Sequence, residues 1–457
     1  MPLQNNRIDQ TIAPRRRFVI AFVSLLALFL FGLPFAAFSD DTLFEPVNES
    51  QRTTQDVPAG ALRVRTVRVN WGALNPRTNE LRLNLFDDVN LTAEFGRVDA
   101  SVTGAYVWVG EVPGEPGSIA TLAVQDGVLS GSVHRGGHEW VVIESAGGET
   151  SDLYTIREID PDAPQPTAPD EIIPQLSATD GEFSSTQPAS CQEDGSKISV
   201  LIAYTAEARD TAGGAAAIEA LINRRISEMN TANDVSQVFF DWVLADVVQV
   251  DYVESGSILT DLERLQKKAD GRMDGIHAVR DAVKADLVAL LISEGSDGAC
   301  GRAYRLPTLQ SNFEDFAFGV TALDYADPYL CSEMTLTHEL GHNLGNAHNR
   351  AESSSDEVVF PYSYGFQSLN KTFRTLMAYE CPEGGCPRIN QWANPALTYK
   401  GEPTGIDHAK DPANSSDMVR SMNQSRVLVS NFRADCAATP PPGPMTNFAY
   451  MPVAVRR

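Results

Sequence analysis

The run Thr337-His338-Glu339-Leu340-Gly341-His342-Asn343-Leu344-Gly345-Asn346-Ala347-His348 constrains this chain more than any other stretch of it. Two histidines four apart share one face of a helix, about one turn from each other, so their imidazoles converge on a single point. Gly345 suits the left-handed residue that ends a helix and swings the chain back. His348 then reaches the same point from the turn, where the helix itself has no residue to offer. Three neutral imidazoles leave one tetrahedral position open, which is the catalytic rather than the structural arrangement for zinc. Glu339 is carried beside that open position. With 7 His in 457 residues, His-Glu-x-x-His arises by chance in about one such chain per hundred, and the Gly and third His lower that by about a thousandfold. Histidines packed for stability alone are a poor account of the run.

With its flanks, the run resembles a known family. His338-Glu339-x-x-His342-x-x-Gly345-x-x-His348 is the metzincin signature. Thr375-Leu376-Met377-Ala378-Tyr379 is similar to the Met-turn that follows it, with Met377 29 residues after the third His. Asn343-Leu344 and the upstream Cys300-Gly301-x-Ala303-Tyr304 resemble the reprolysin (adamalysin) branch. The run ending Val429-Ser430-Asn431-Phe432-Arg433 is similar to secreted bacterial members, so the resemblance spans about residues 195–433. It implies an α/β metzincin catalytic domain, a mixed, mostly parallel twisted sheet with a zinc-binding active-site helix, preceded by a β-rich propeptide domain. It also implies one catalytic Zn2+ on His338, His342 and His348, protein or peptide substrates, and an endopeptidase. Glu339 would take a proton from zinc-activated water and return it to the leaving amine. Met377 would form an apolar floor under the ligands. Tyr379 matches a tyrosine that assists the transition state in some metzincins, although packing is the commoner use of such a residue. The sequence is silent on structural Ca2+. It departs from the reprolysin pattern at Asn349, where Asp follows the third His; Asn keeps the acceptor and loses the charge.

The amino terminus speaks to location. Arg15-Arg16-Arg17 precedes an uncharged run to Ser39, and Ala37 and Ser39 make a small-residue cleavage site, so residues 1–39 read as a secretory signal peptide or, if uncleaved, a signal anchor. Either topology sends the body of the chain out of the cytoplasm. Membrane contact is expected only if the segment stays uncleaved. A net charge of −24 repels phosphate backbones and argues against nucleic acid as a partner. It is spread evenly, with nine basic against 24 acidic residues over 40–190 and 23 against 35 over 191–457, so a preference for basic peptides has weak support.

From about 61 to 156 the sequence alternates in short runs such as Val64-Arg65-Thr66-Val67-Arg68-Val69, which indicates an antiparallel β-domain within residues 40–158. Residues 159–190 hold six prolines among polar residues and read as an exposed linker where processing would fall. Residues 191–436 alternate strands with helices, including Ile198–Tyr204, a helix over 215–233, strand-like 238–252, a helix over 274–285, strands at 286–292 and 316–323, and a last helix over 415–431. Residues 437–457 are a Pro-rich tail.

All six cysteines lie at or beyond Cys191. An oxidising compartment makes three disulfides the default, and Cys300–Cys331, Cys381–Cys386 and Cys191–Cys436 are the expected pairs among 15 connectivities. A pro-region without cysteine cannot close the site with a thiolate, as many reprolysin-type enzymes do. Steric cover or a carboxylate ligand remains for the propeptide to act as inhibitor. Of the other histidines, His134 and His138 flank Gly136-Gly137 in a hairpin pattern, His277 lies on a polar helix, and His408 follows Asp407 in a loop near the primed side of the cleft. Surface or packing roles suit all four. The primed wall itself is expected from about Glu380 to Pro395. A catalytically silent metzincin-fold adhesion protein is the rival reading, and an intact Glu339 speaks against it.

Overall fold

Alternating apolar residues give each amino-terminal strand one face to bury, and consecutive strands joined by tight turns bury it together. β1 (Phe44–Pro46), β2 (Ala61–Val69), β3 (Glu80–Phe86), β4 (Val89–Ala100), β5 (Tyr106–Glu111), β6 (Ile119–Gln125), β7 (Val128–Arg135), β8 (His138–Ser145) and β9 (Tyr154–Ile159) form one antiparallel sheet, ordered β1-β2-β9-β8-β7-β6-β5-β4-β3. A bridge between Thr42 and Arg82, with Leu43 N donating to Arg82 O at 2.9 Å, brings its two edges together as a barrel. Trp108 fills the interior beside Leu83, Leu122 and Val141, and its indole donates to Thr78 O at 2.8 Å. The structure is a computed structural model describing residues 42–434, apart from 49–56, 59, 148–150, 178–191, 327–328, 354–356 and 383. The expected export signal, the carboxy-terminal tail and the expected Cys191–Cys436 pair fall outside the described residues. Among the described residues no helix is long and apolar enough to cross a membrane.

The second layer is a six-stranded sheet ordered β10-β14-β15-β13-β11-β12, from β10 (Glu171–Ile172), β11 (Lys197–Tyr204), β12 (Asp241–Gln249), β13 (Leu287–Glu294), β14 (Gly301–Tyr304) and β15 (Phe318–Asp324). Neighbours are parallel except β14 and β15. Its helices are α1 (Ala206–Ala212), α2 (Ala215–Ser236), α3 (Ile258–Gln266), α4 (Gly275–Val283), α5 (Thr335–Asn343) and α6 (Met418–Val429). Several boundaries are tighter than the sequence suggests. α6 begins at Met418 because Asp417 caps it, Oδ1 accepting from Arg420 N at 3.1 Å, while Ser415 and Ser416 bond Pro361 O and Tyr364 O instead. α1 and α3 escape the sequence pattern because each is under three turns, although Thr205 and Ser257 accept from Ala208 N and Thr260 N as caps.

The largest correction concerns residues 159–190. Read as an exposed linker, the described part instead crosses the second layer as its edge strand. Ala303 N donates to Asp170 O at 2.9 Å and Arg305 N to Ile172 O at 2.8 Å. The prolines keep this stretch extended, and an extended chain completes the open edge of β14.

α2 separates the barrel from the second sheet. Ile218, Ile222 and Met229 enter the core, yet Arg224, Arg225 and Glu228 are buried as well. The barrel covers them: Arg224 Nε donates to Ser130 Oγ at 2.9 Å, Ser132 Oγ bonds Glu228, and Arg97 Nη2 donates to Thr231 Oγ1 at 2.9 Å. Glu333 accepts from both Arg224 and Arg225, at 2.5 and 2.9 Å. Glu139 of β8 is half-buried beside this network, and desolvation, then Glu333 and Glu228, push its carboxyl up to about 8. A group whose folded pKa is raised stabilises the fold fully below its unfolded value and loses that contribution as pH rises through the folded one. Urea denaturation of the full chain is expected to show stability falling as pH rises from about 4.5 to about 8, with Glu139→Gln flattening the loss. An unchanged slope in that variant would assign the dependence elsewhere.

Candidate metal centre

α5 is buried along its whole length, packed against β14 and β15. His338 and His342 project from it one turn apart. The helix stops where Gly345 adopts φ +92°, and an added Cβ there would stand 2.4 Å from Val359 Cγ1. Only glycine suits both demands. The chain then reverses into a short strand, Ala347–Asn349, paired with Tyr364–Gly365, and His348 returns to the helical pair.

His338 Nε2 and His348 Nε2 stand 3.2 Å apart. Asp170 completes the group, its Oδ1 2.7 Å from His348 Nε2 and 3.4 Å from His342 Nε2, and its Oδ2 3.4 Å from His338 Nε2. One ligand atom from each of the four lies within 4.8 Å of the others. Around a tetrahedral ion with bonds of about 2.0–2.1 Å, donor atoms stand about 3.3–3.4 Å apart. The set therefore fits one small metal ion. Tautomers agree with this: His338 Nδ1 lies 3.0 Å from Leu376 O and His342 Nδ1 2.7 Å from Asn346 O. A carbonyl only accepts, so each Nδ1 carries the proton and each Nε2 keeps a lone pair for the ion. Burial holds His338 down to about 4, its neutral ligand form. Asp170 is held well below the usual carboxylate range, because His348 and His338 outweigh the opposing effect of burial.

Glu339 is 1% exposed, and neither carboxylate oxygen has a hydrogen-bond partner. Burial, then Asp170, push its carboxyl well above the usual range, against Arg302 and Arg388. It packs so closely on β14 that a Cβ at Gly301 would stand 2.1 Å from Glu339 Oε1. Met377 is fully buried in the core with Leu340 and Trp392. Asn349 Oδ1 accepts from Tyr379 N at 3.0 Å. Tying down the segment after Met377 thus requires an acceptor at this position, which Asn supplies without charge. The Tyr379 hydroxyl donates to Asp170 Oδ1 at 2.9 Å, and its ring lies 4.1 Å from that of His348. Disulfides join Cys300 to Cys331, between β14 and the approach to α5, and Cys381 to Cys386 after the Met-turn.

The remaining histidines stay away from this centre. His134 is buried in the barrel wall, and His138 follows Gly136-Gly137 at a hairpin tip that docks on the catalytic layer, Asn390 N donating to Gly137 O at 2.7 Å. His277 is half-buried against the Phe318 ring rather than solvated, and His408 packs on Tyr362. Asp170 is the functional residue that sequence reasoning left unnamed. Its only signal is the apolar pair Ile172-Ile173 in an otherwise polar run, since nothing marks it among 60 acidic residues.

Residues 194–393 match the family described as metallo-peptidase family M12. A peptidyl-Asp metalloendopeptidase of Xanthomonas campestris pv. campestris is 29% identical over 381 residues, 80% of this chain and 85% of the relative. Proteins of the same name from Stenotrophomonas maltophilia and Pseudomonas fragi are 34% identical over 52% of each chain and 30% identical over 34% of this chain and 76% of the relative. The fold and its histidine centre are those of a metalloendopeptidase. The chain belongs to metallopeptidase family M12, among the metzincin-like metalloproteases.

Gly345→Ala is expected to destabilise the protein by at least about 2 kcal/mol, through strain at positive φ and the clash with Val359. A thermal melt within about a degree of wild type would contradict the role given to this turn.

Proposed function

We propose that the chain is a zinc-dependent endopeptidase, exported as a latent precursor whose cleft is filled by its own 159–177 segment. The observation that carries this reading is the convergence of Asp170 from that segment with His338, His342 and His348. Three neutral imidazoles and one carboxylate at tetrahedral spacing suit zinc. When bound, zinc polarises the scissile carbonyl and makes water at the site more acidic. Everything else falls to the chain's own side chains. The carbonyls of Leu376 and Asn346 accept from Nδ1 and so keep His338 and His342 oriented with Nε2 towards the shared point. Glu339, desolvated and unpartnered, takes the proton at its carboxylate and delivers it to the leaving amine. The Tyr379 hydroxyl, which donates to Asp170 in the latent form, would face the reacting carbonyl once Asp170 leaves.

Removal of β10 would uncover the β14 edge. The amide of Ala303 and that of Arg305, now bonded to the pro-segment, would bind an extended peptide by strand addition. Asp170 takes the part that a cysteine thiolate plays in other reprolysin-type precursors, in a pro-region that has no cysteine. Processing within 159–190 would release the barrel. The relatives are named for peptidyl-Asp cleavage, and an aspartyl residue beside the scissile bond is accordingly the substrate feature proposed here.

Glu339→Gln is expected to lose more than about 100-fold in turnover while retaining one metal ion by elemental analysis; wild-type turnover in that variant would sink the mechanism. Asp170→Ala is expected to let the uncleaved precursor hydrolyse a short peptide at least about tenfold faster than the wild-type precursor. Unaltered latency in the intact variant would show that another contact closes the cleft.

A further inference from the structure

The cavity lined by His338 and Glu339 is also lined by two arginines, Arg374 and Arg388. Backbone bonds hold them side by side: Arg374 N donates to Pro387 O at 3.1 Å, and Ile389 N to Arg374 O at 2.9 Å. Arg374 is 3% exposed. The Nε of each guanidinium is buried without a hydrogen-bond partner. What Arg374 has is thin: Ala378 O at 3.3 Å, Glu380 at 3.8 Å, and Gln165 Oε1 of the pro-segment at 3.3 Å. Burial, then the neighbouring Arg388, lower Arg374 to about 9. Burial lowers Arg388 too, and Asp170, Glu380 and Glu139 oppose it. Two of those three acids belong to the pro-region.

Two adjacent, poorly partnered guanidiniums in the wall of a cleft are costly to keep, and more so when the pro-region goes. They sit in a catalytic region, residues 191–436, with 35 acidic against 21 basic residues, whose overall field repels acidic peptides. Local recognition of an anion is the function that such a pair serves, since the planar fork matches a carboxylate.

We propose that Arg374 and Arg388 form the specificity subsite of the cleft and grip the carboxylate of an aspartyl side chain next to the scissile bond. The proposal rests on the endopeptidase reading above and adds the residues that choose the substrate. Arg305 is the competing cation. It is fully buried and paired with Glu171 at 2.8 Å, but it lies on the β14 side of the cleft and also holds Glu357 O at 2.8 Å.

The test measures kcat/KM of the processed enzyme, prepared from the full chain, on peptide pairs that differ only by Asp or Asn at the residues flanking the cleaved bond. Product termini are read by mass spectrometry. Wild type is expected to favour Asp at one of the two positions. Arg388→Met and Arg374→Met are each expected to lower the Asp/Asn ratio about 10- to 100-fold, the worth of a hydrogen bond to a charged group. Arg388→Lys, which keeps the cation and loses the fork, should fall between, and it carries the same readout if the Met variants do not fold. Arg305→Met should leave the ratio unchanged. A wild type without Asp preference, a ratio unmoved in all the Arg374 and Arg388 variants, or a collapse confined to Arg305→Met would overturn the proposal. A metal-loaded wild type that cleaves no peptide would overturn the endopeptidase reading instead.

Discussion

The carboxylate of Asp170 among three imidazoles is the contact on which the described structure turns. All three histidines are buried, and a carboxylate placed among them without compensation would be costly. A shared cation at their centre would settle that cost, and the spacing of the four donors suits one. Once Asp170 is fixed there, its neighbours follow. Glu171 reaches the fully buried Arg305, Ile172 pairs with Tyr304, and the pro-segment becomes the edge strand of the catalytic sheet. In the proposed precursor, latency and sheet completion would be one event.

How much of this the sequence discloses depends on whether a residue's partner is local. His338, His342, Gly345 and His348 lie within one helix and its turn, so spacing alone places them. Cys381 and Cys386 close a loop of their own. The barrel strands announce themselves by alternation, because each buries one face against its neighbours in sequence. Asp170 does not, since its partners lie 168–178 residues away and a polar, proline-rich run resembles any linker. The polar face of α2 misleads in the same way. Nothing local marks Arg224 and Glu228 for burial; the barrel, brought alongside by tertiary packing, covers them.

That face also bears on how the two layers could part. Most ion pairs at the α2 interface lie within one side, Arg224 with Glu228 and Glu333 in the catalytic layer and Arg97 with Asp99 in the barrel, while Arg97 also reaches Asp234 of α2 across it at 3.9 Å. Separation would break mainly hydrogen bonds between a neutral hydroxyl and a charged group, Ser130 with Arg224, Ser132 with Glu228 and Thr231 with Arg97, which water can replace at about 1.5–3 kcal/mol each. Apolar interfaces of similar extent would leave a sticky surface behind.

The cleft is built on the opposite principle. There, charges of the catalytic layer find their counter-charges on the pro-segment: the histidine centre with Asp170, Arg305 with Glu171. Arg388 too draws its opposing charge partly from Asp170 and Glu139. Departure of the pro-segment would leave Arg388 and its neighbour Arg374 short of anions where a peptide would bind, while Arg305 keeps its bond to Glu357 O. An interface joined mainly by hydrogen bonds can re-form them with water, whereas a cleft whose arginines draw opposing charge from a departing acid would be left selective for another acid. In the proposed precursor, release of the barrel would therefore give the exposed cleft its preference for acidic side chains.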